Sequence, residues 1–295
     1  MTRTHSLLLT ACAMLAFAGN SLLCRLALRH TGIDAASFTS VRLVAGALML
    51  WLLLQLRRSG QAGGSDASAG SGESGRGNWL SAAALCLYAA GFSWAYMRLS
   101  AATGALLLFG AVQATMVGHG LWAGERLRPL QCAGLLTTLA GLLALLLPGL
   151  AAPPLSSAML MLGAGVAWGV YSLRGKGTGD PLAVSAGNFL RAVPLALALA
   201  AASYPSLSLD TAGLLYAVAS GALASGIGYA IWYTALPTLS STTAASVQLS
   251  VPVLAALGGI AFLGESASLR LVLASVAILG GIGLVIWQKQ RVPAG

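Results

Sequence analysis

The chain predicts an all-α integral membrane protein, with ten transmembrane helices arranged as two inverted five-helix repeats. Three observations lead there: too little charge for a water-facing surface, ten apolar segments of membrane-crossing length, and residue spacings that recur in the two halves. Of 295 residues, 57% are hydrophobic and only 8% are charged, with a mean hydropathy of +0.83. A soluble domain carries about 25% charged residues, so this surface belongs in lipid. The formal charge of +9 does not point to nucleic acid, because the basic residues are scattered singly and form no stripe.

A bilayer-crossing helix needs about 20 apolar residues. The segments that meet this are 6–28, 35–56, 79–98, 103–123, 129–149, 156–173, 182–203, 211–233, 241–263 and 269–288. The first follows Arg3 and imitates an export signal, but it has a full counterpart later in the chain and is expected to be retained. It carries Asn20. The second holds Arg42 inside a greasy run. After it, 57–78 is polar, low-complexity and Gly/Ser-rich, which reads as a cytoplasmic linker within the first repeat. The third repeats aromatics every four residues at Tyr88, Phe92 and Tyr96. The fourth carries Gln113 and His119 and ends at Gly124-Glu125, and the fifth is almost wholly aliphatic. The sixth contains Trp168 and Tyr171, and the seventh places Arg191 as the second places Arg42. The eighth groups Tyr229, Trp232 and Tyr233 on one face. The ninth carries Gln248 and Pro252 and ends at Gly264-Glu265, and the tenth is glycine-rich from Gly280.

The repeat is read from spacings. Arg25 and Arg174 differ by 149 (174 minus 25), and so do Arg42 and Arg191 (191 minus 42). Glu125 and Glu265, Gly118 and Gly258, and Gly141 and Gly281 all differ by 140. The two shifts differ because the first half is longer where the linker lies. The halves are 1–150 and 151–295, each with five helices. An odd number inserts the second half upside down, a frequent build among secondary transporters, whose substrate sites lie at mid-membrane between the halves. If both termini are cytoplasmic, Arg3, Arg57, Arg58, Arg76, Arg126, Arg128, Arg174, Lys176, Lys289 and Arg291 fall inside, against Arg25, Arg29, Arg98 and Arg270 outside. That bias supports the orientation.

Gly124-Glu125, the stretch SVQLSVPVLAALGGIAFLGE with Pro252 and Glu265, and the paired Arg42 and Arg191 resemble the drug/metabolite transporter superfamily, EamA type. The resemblance covers nearly the whole chain. It implies export of small metabolites, amino acids or drugs, through a cavity built mainly by helices 1, 3, 4, 6, 8 and 9. The substrate does not carry over.

An intramembrane arginine costs about 2.5–3.5 kcal/mol on insertion scales. Arg42 and Arg191 either cap helix carbonyls and snorkel, or face the cavity and attract an anion. None of the seven acids falls mid-span, which favours an anion, zwitterion or neutral solute over a lipophilic cation. His119 either hydrogen-bonds between helices or titrates in the cavity. Phe92, Tyr96, Trp168, Tyr171, Tyr229 and Trp232 form either an interfacial belt or a stacking wall for solute. Asn20, Gln113 and Gln248 either bond between helices or line the path. Pro252 frees the carbonyl of Gln248 and is expected to bend helix 9. Glu125 and Glu265 are expected to pair with Arg128 and Arg270 or to cap the following helix, with a gating role as the other reading. Cys12, Cys24, Cys86 and Cys132 read as small buried hydrophobes.

No catalytic set, metal site or cofactor motif is expected. RGKGTGD at 174–180 lacks the strand and the Ser or Thr of a phosphate loop. The expected partners are a small-molecule solute and the lipid bilayer of the plasma (inner) membrane. The small-residue stripes of helices 4 and 10 predict close packing, within the chain or in a homodimer. Other readings of the chain are a multidrug efflux carrier, and a non-transporting membrane scaffold or integral membrane enzyme.

Overall fold

A computed structural model describes residues 3–61, 77–122, 124, 128–147, 152–175, 180–235 and 247–290. Within these the chain is all-helical. α1 runs Arg3–His30, α2 Ala35–Gln61, α3 Trp79–Tyr96, α4 Ala101–Trp122 and α5 Pro129–Leu146. After these come α6 at Leu155–Gly175 and α7 at Pro181–Ala202. α8 is one rod, Thr211–Ala235, whose middle, Ala219–Ile227, is wound as a π-helix. α9 is Ser250–Leu263 and α10 Leu269–Gln290. Seven of the described helices, α1, α2 and α4 to α8, are long and apolar enough to cross a membrane. α3 falls short because its two Trp and two Tyr dilute an otherwise apolar run.

The helix ends have local causes. Asp34 accepts hydrogen bonds from the N–H groups of Ala36 and Ser37 at the start of α2, and Asp180 accepts one from Ala183 at the start of α7, as N-caps do. Burial raises the Asp34 carboxyl, but hydrogen bonds from Ser37, Ser208 and Ala36 outweigh it and hold the group below its ordinary value. Gly124 and Gly264, the two glycines of the Gly-Glu pairs, both have positive φ, +91° and +63°. A residue with a Cβ resists that conformation, so each glycine stops its helix and turns the chain sharply.

α2 packs on α7, and α5 on α10. α1 packs on α8 and α9, while α6 packs on α3 and α4. α2 also packs on α8, as α7 does on α3. The α5–α10 contact is close. A Cβ on Gly281 would lie 2.4 Å from the Gly134 carbonyl oxygen, and one on Gly141 2.9 Å from Ile278 Cγ1. Of the glycines of helix 10, Gly281 is spent in this contact, while a Cβ on Gly280 or Gly283 would meet nothing within 4 Å.

The outer surface is apolar, with Trp51, Trp79, Trp287, Trp122 and Phe262 all exposed, as a lipid-facing coat requires. Two sequence expectations change here. Residues 57–61, expected in the linker, continue α2, and Asn78 caps α3 by accepting from the N–H of Ser81; residues 62–76 lie outside the described part. Cys24 and Cys86 are buried, but Cys12 and Cys132 are exposed, because they fall on the outward faces of α1 and α5.

Candidate functional site

Between the helices of the bundle is a small, largely enclosed cavity of about 30 Å³, room for one or two waters. α1 contributes Phe17, Asn20 and Ser21, α3 Tyr88 and Phe92, and α4 Leu108 and Phe109. α6 adds Trp168, α8 adds Ala224, Ser225 and Tyr229, and the approach to α9 adds Gln248. The aromatic rings touch in a chain: Tyr88 to Phe92 at 5.4 Å, Tyr88 to Trp168 at 4.8 Å, Trp168 to Tyr229 at 5.3 Å and Phe17 to Tyr229 at 5.9 Å. Two larger apolar hollows, one along α2, α7 and α8 and one between α3 and α6, open on the outside of the bundle. Their nearly all-carbon walls suit lipid rather than a polar solute.

Polar bonds cross the cavity wall. Ser220, in the π segment of α8, donates to Asn20 Oδ1 at 2.6 Å. Asn20 Nδ2 donates to the Tyr88 hydroxyl at 3.4 Å. Behind Tyr88 and Phe92 lies Arg42, 2% exposed, its guanidinium carbon 5.2 and 4.9 Å from the two ring centres. Its Nε and Nη1 are buried with no hydrogen-bond partner among the described residues. α2 is held there by close backbone approach: a Cβ on Gly221 would sit 2.2 Å from the Arg42 carbonyl oxygen. Only glycine permits that contact. The wide π turns, which often mark functional sites, carry Ser220, Ala224 and Ser225 to the cavity side.

Asn20, Phe92, Trp168, Tyr229 and Gln248 therefore meet at one cavity, with Arg42 directly behind its wall. Other sequence-picked residues lie elsewhere. Tyr96 is buried, but one turn beyond Phe92, packed under Gly104 and bonded to the Ala101 carbonyl. Tyr171 stacks on Trp168 at 5.4 Å on the side away from the cavity lining, and Trp232 packs edge-on to Phe17 at 6.1 Å. Gln113 is half-buried in α4, outside the lining, and His119 is exposed near the end of α4. His119 is thus outside the cavity lining, on a face of α4 that turns outward. Arg191 is half-buried, and its Nη1 donates to the Gly187 carbonyl of its own helix at 3.1 Å. Pro252 stands in the first turn of α9, after a one-residue interruption at Leu249, whose backbone stays in the right-handed helical region; a proline three residues on removes a donor at this point of the helix.

Glu265 is held differently from the expectation. Its Oε1 accepts from Arg25 Nε at 3.2 Å, and its Oε2 accepts from the Ala101 N–H at 2.8 Å. A carboxylate at the start of α4 also suits the helix dipole. Arg25 further donates to the carbonyls of Tyr96 and Met97, so one cluster ties α1, α3, α4 and the end of α9. Arg270 instead donates to the Ala144 and Leu147 carbonyls. Glu125 lies outside the described residues. At the other end of the bundle Arg57 pairs with Asp180, and this partner lowers the Asp180 carboxyl.

Tyr88, Phe17, Ser21 and Ser220 belong to the site but were not singled out as site residues. The four-residue aromatic spacing of α3 did flag Tyr88, and the Ser/Gly run before Gly228 was the available signal for Ser220. Among the described residues no cluster of three or more His, Cys, Asp or Glu could hold a metal ion.

The sequence and fold have relatives. The model of the EamA-like transporter family matches residues 155–287. An uncharacterised protein of Pseudomonas aeruginosa is 58% identical over 286 residues, 97% of this chain and 96% of that protein. The threonine/homoserine exporter RhtA of Salmonella typhimurium is 35% identical over 131 residues, and the match spans 42% of this chain and 43% of the exporter. A protein of known crystal structure, 20% identical, aligns with a TM-score of 0.64 over 99% of this chain and all of its own, a likeness of fold alone.

Proposed function

Because this chain belongs to the EamA-like transporter family of the drug/metabolite transporter superfamily, we propose that it carries a small metabolite outward across the plasma (inner) membrane by alternating access, with both termini cytoplasmic. The single observation behind this reading is the cavity between the helices. It is walled by five helices and the approach to a sixth, drawn from both halves of the chain, and its lining mixes aromatic faces with Asn20 and Gln248. That is the makeup of a small-molecule site, at the position where inverted halves meet.

The ten-helix inverted repeat is part of the proposal. Exchanging each helix with the one five places on turns the α1–α9 contact into α6–α4, α1–α8 into α6–α3 and α2–α8 into α7–α3, and returns α2–α7 and α5–α10 to themselves. At the shift of 140, Gly141 against Ile278 becomes Gly281 against Thr138, and a Cβ on Gly281 would lie 2.5 Å from Thr138 Oγ1. A two-fold relation in which the halves swap roles accounts for both patterns. Rocking about the α5–α10 contact would then open the cavity to one side at a time.

The partial likeness to a threonine/homoserine exporter favours an amino acid as the cargo. The lining has no acid, which disfavours a cationic multidrug substrate. Purified protein in liposomes preloaded with unlabelled amino acids should drive counterflow of the labelled amino acid, scored against empty liposomes. No counterflow with any amino acid would remove the amino-acid reading. No movement of any small solute would remove the carrier reading.

A further inference from the structure

Arg42 is the only charged residue among the buried described residues, and no described acid pairs with it. Of the acids described near helix ends, Glu265 pairs with Arg25, Asp180 with Arg57, Asp34 caps the start of α2, and Asp210 stands at the start of α8, more than two helical turns along α8 from the Gly221 that meets Arg42. Two N–H-bearing nitrogens of Arg42 meet no acceptor among the described residues. Cation–π contact with Tyr88 and Phe92 offsets only part of the desolvation of a guanidinium. The same two rings line the cavity on their other side. The cavity therefore feels one positive charge through a thin aromatic screen, in a low-dielectric interior where water does little to weaken it. Beside that screen, Asn20 offers a donor through Nδ2 and Tyr88 a hydroxyl.

Resting on the carrier reading, we infer that the solute presents a carboxylate to the α1–α3 wall and that Arg42 supplies the countercharge. Asn20 and the Tyr88 hydroxyl orient the carboxylate, and the apolar body lies against Trp168 and Tyr229. No acid in the lining pairs with an ammonium group. The carboxylate is the group that is recognised, and an amino group is only tolerated.

Binding to purified protein tests this without requiring transport. The probes are leucine, 4-methylpentanoate, which keeps the carboxylate and lacks the amine, and leucinamide, which keeps the amine and lacks the carboxylate. Both carboxylates should bind and stabilise the protein against heat, with leucinamide weaker by about thirtyfold or more, the usual loss when one member of a buried charge pair is removed. Arg42→Gln should abolish that discrimination, and Arg42→Lys, which keeps the charge, should retain most of it. Equal binding of leucine and leucinamide, no binding of either carboxylate, or a folded Arg42→Gln protein that still prefers acids would overturn the inference. If Arg42→Gln fails to fold, the wild-type comparison decides alone. A wild-type protein that shows counterflow yet binds the amide as well as the acid sinks this inference and leaves the carrier reading standing. Acid-selective binding with no movement of any solute does the reverse.

Discussion

Arg42 and Arg191 stand 149 residues apart at matching points of two helices, and their surroundings differ. Arg42 is sealed behind Tyr88 and Phe92, with two nitrogens lacking partners among the described residues. Arg191 is half-buried and turns back to the Gly187 carbonyl one turn earlier in its own helix. The difference lies in the neighbours. Gly221 of the π segment presses on the Arg42 backbone, and the cavity aromatics of α3 close over the side chain. The two arginines sit in similar sequence settings, but packing makes one a donor to its own helix and the other a buried charge. The comparison can be tested at several points.

The largest expected effect separates the two arginines directly. In proteoliposomes, with activity scaled to folded protein, Arg42→Ala should cut transport by about thirtyfold or more, and Arg191→Ala by less than about threefold. Equal losses would break the comparison. Next comes the buttress. Gly221→Ala puts a methyl against the Arg42 carbonyl, and overpacking of this kind costs about 1–3 kcal/mol. Gly163→Ala, which meets nothing within 4 Å, should stay within about 0.5 kcal/mol. Thermal unfolding in detergent measures both, and a harmless Gly221→Ala would mean that α2 is not held where the fold has it.

A smaller effect concerns Glu265. A double-mutant cycle should find coupling of about 1–2 kcal/mol between Arg25 and Glu265, as for a charged hydrogen bond, and none between Arg270 and Glu265. Coupling to Arg270 would restore the pairing expected from sequence and contradict the observed one. The smallest effect is Arg57–Asp180, where both side chains are over a third exposed. Asp180→Asn should cost less than about 0.5 kcal/mol. The Asp180 carboxyl is lowered from 3.8 in the fold. Its contribution is therefore fully present above that ordinary value and is lost as the pH falls below it, through the lowered folded value. A pH series of unfolding midpoints, with and without the substitution, should diverge only above that acid range.

Much of this was legible in the chain. Membrane helices are written as long apolar runs, so α2, α7 and α8 begin within a residue of expectation, and the aromatic spacing of α3 and α8 singled out Phe92 and Tyr229, which line one cavity in the fold. What was missed depends on contacts across the fold. Arg25 and Glu265 are 240 residues apart, and a spacing cannot tell Arg25 from the nearer Arg270. Tyr96 shares a stripe with Phe92 but sits one turn past the cavity lining, packed under Gly104 of α4. The outward face of His119 and the π turns before Gly228 likewise follow from neighbouring helices rather than from local preference.

The inverted layout is tested most directly by sidedness. In a background lacking the four native cysteines, single cysteines at Arg58, Arg174, Arg98 and Arg270 would be labelled in sealed vesicles with an impermeant maleimide added from one side. The two-repeat account predicts that Arg58 and Arg174 react from the same side, and that Arg98 and Arg270 react from the other. Labelling of Arg58 and Arg174 from opposite sides would contradict it.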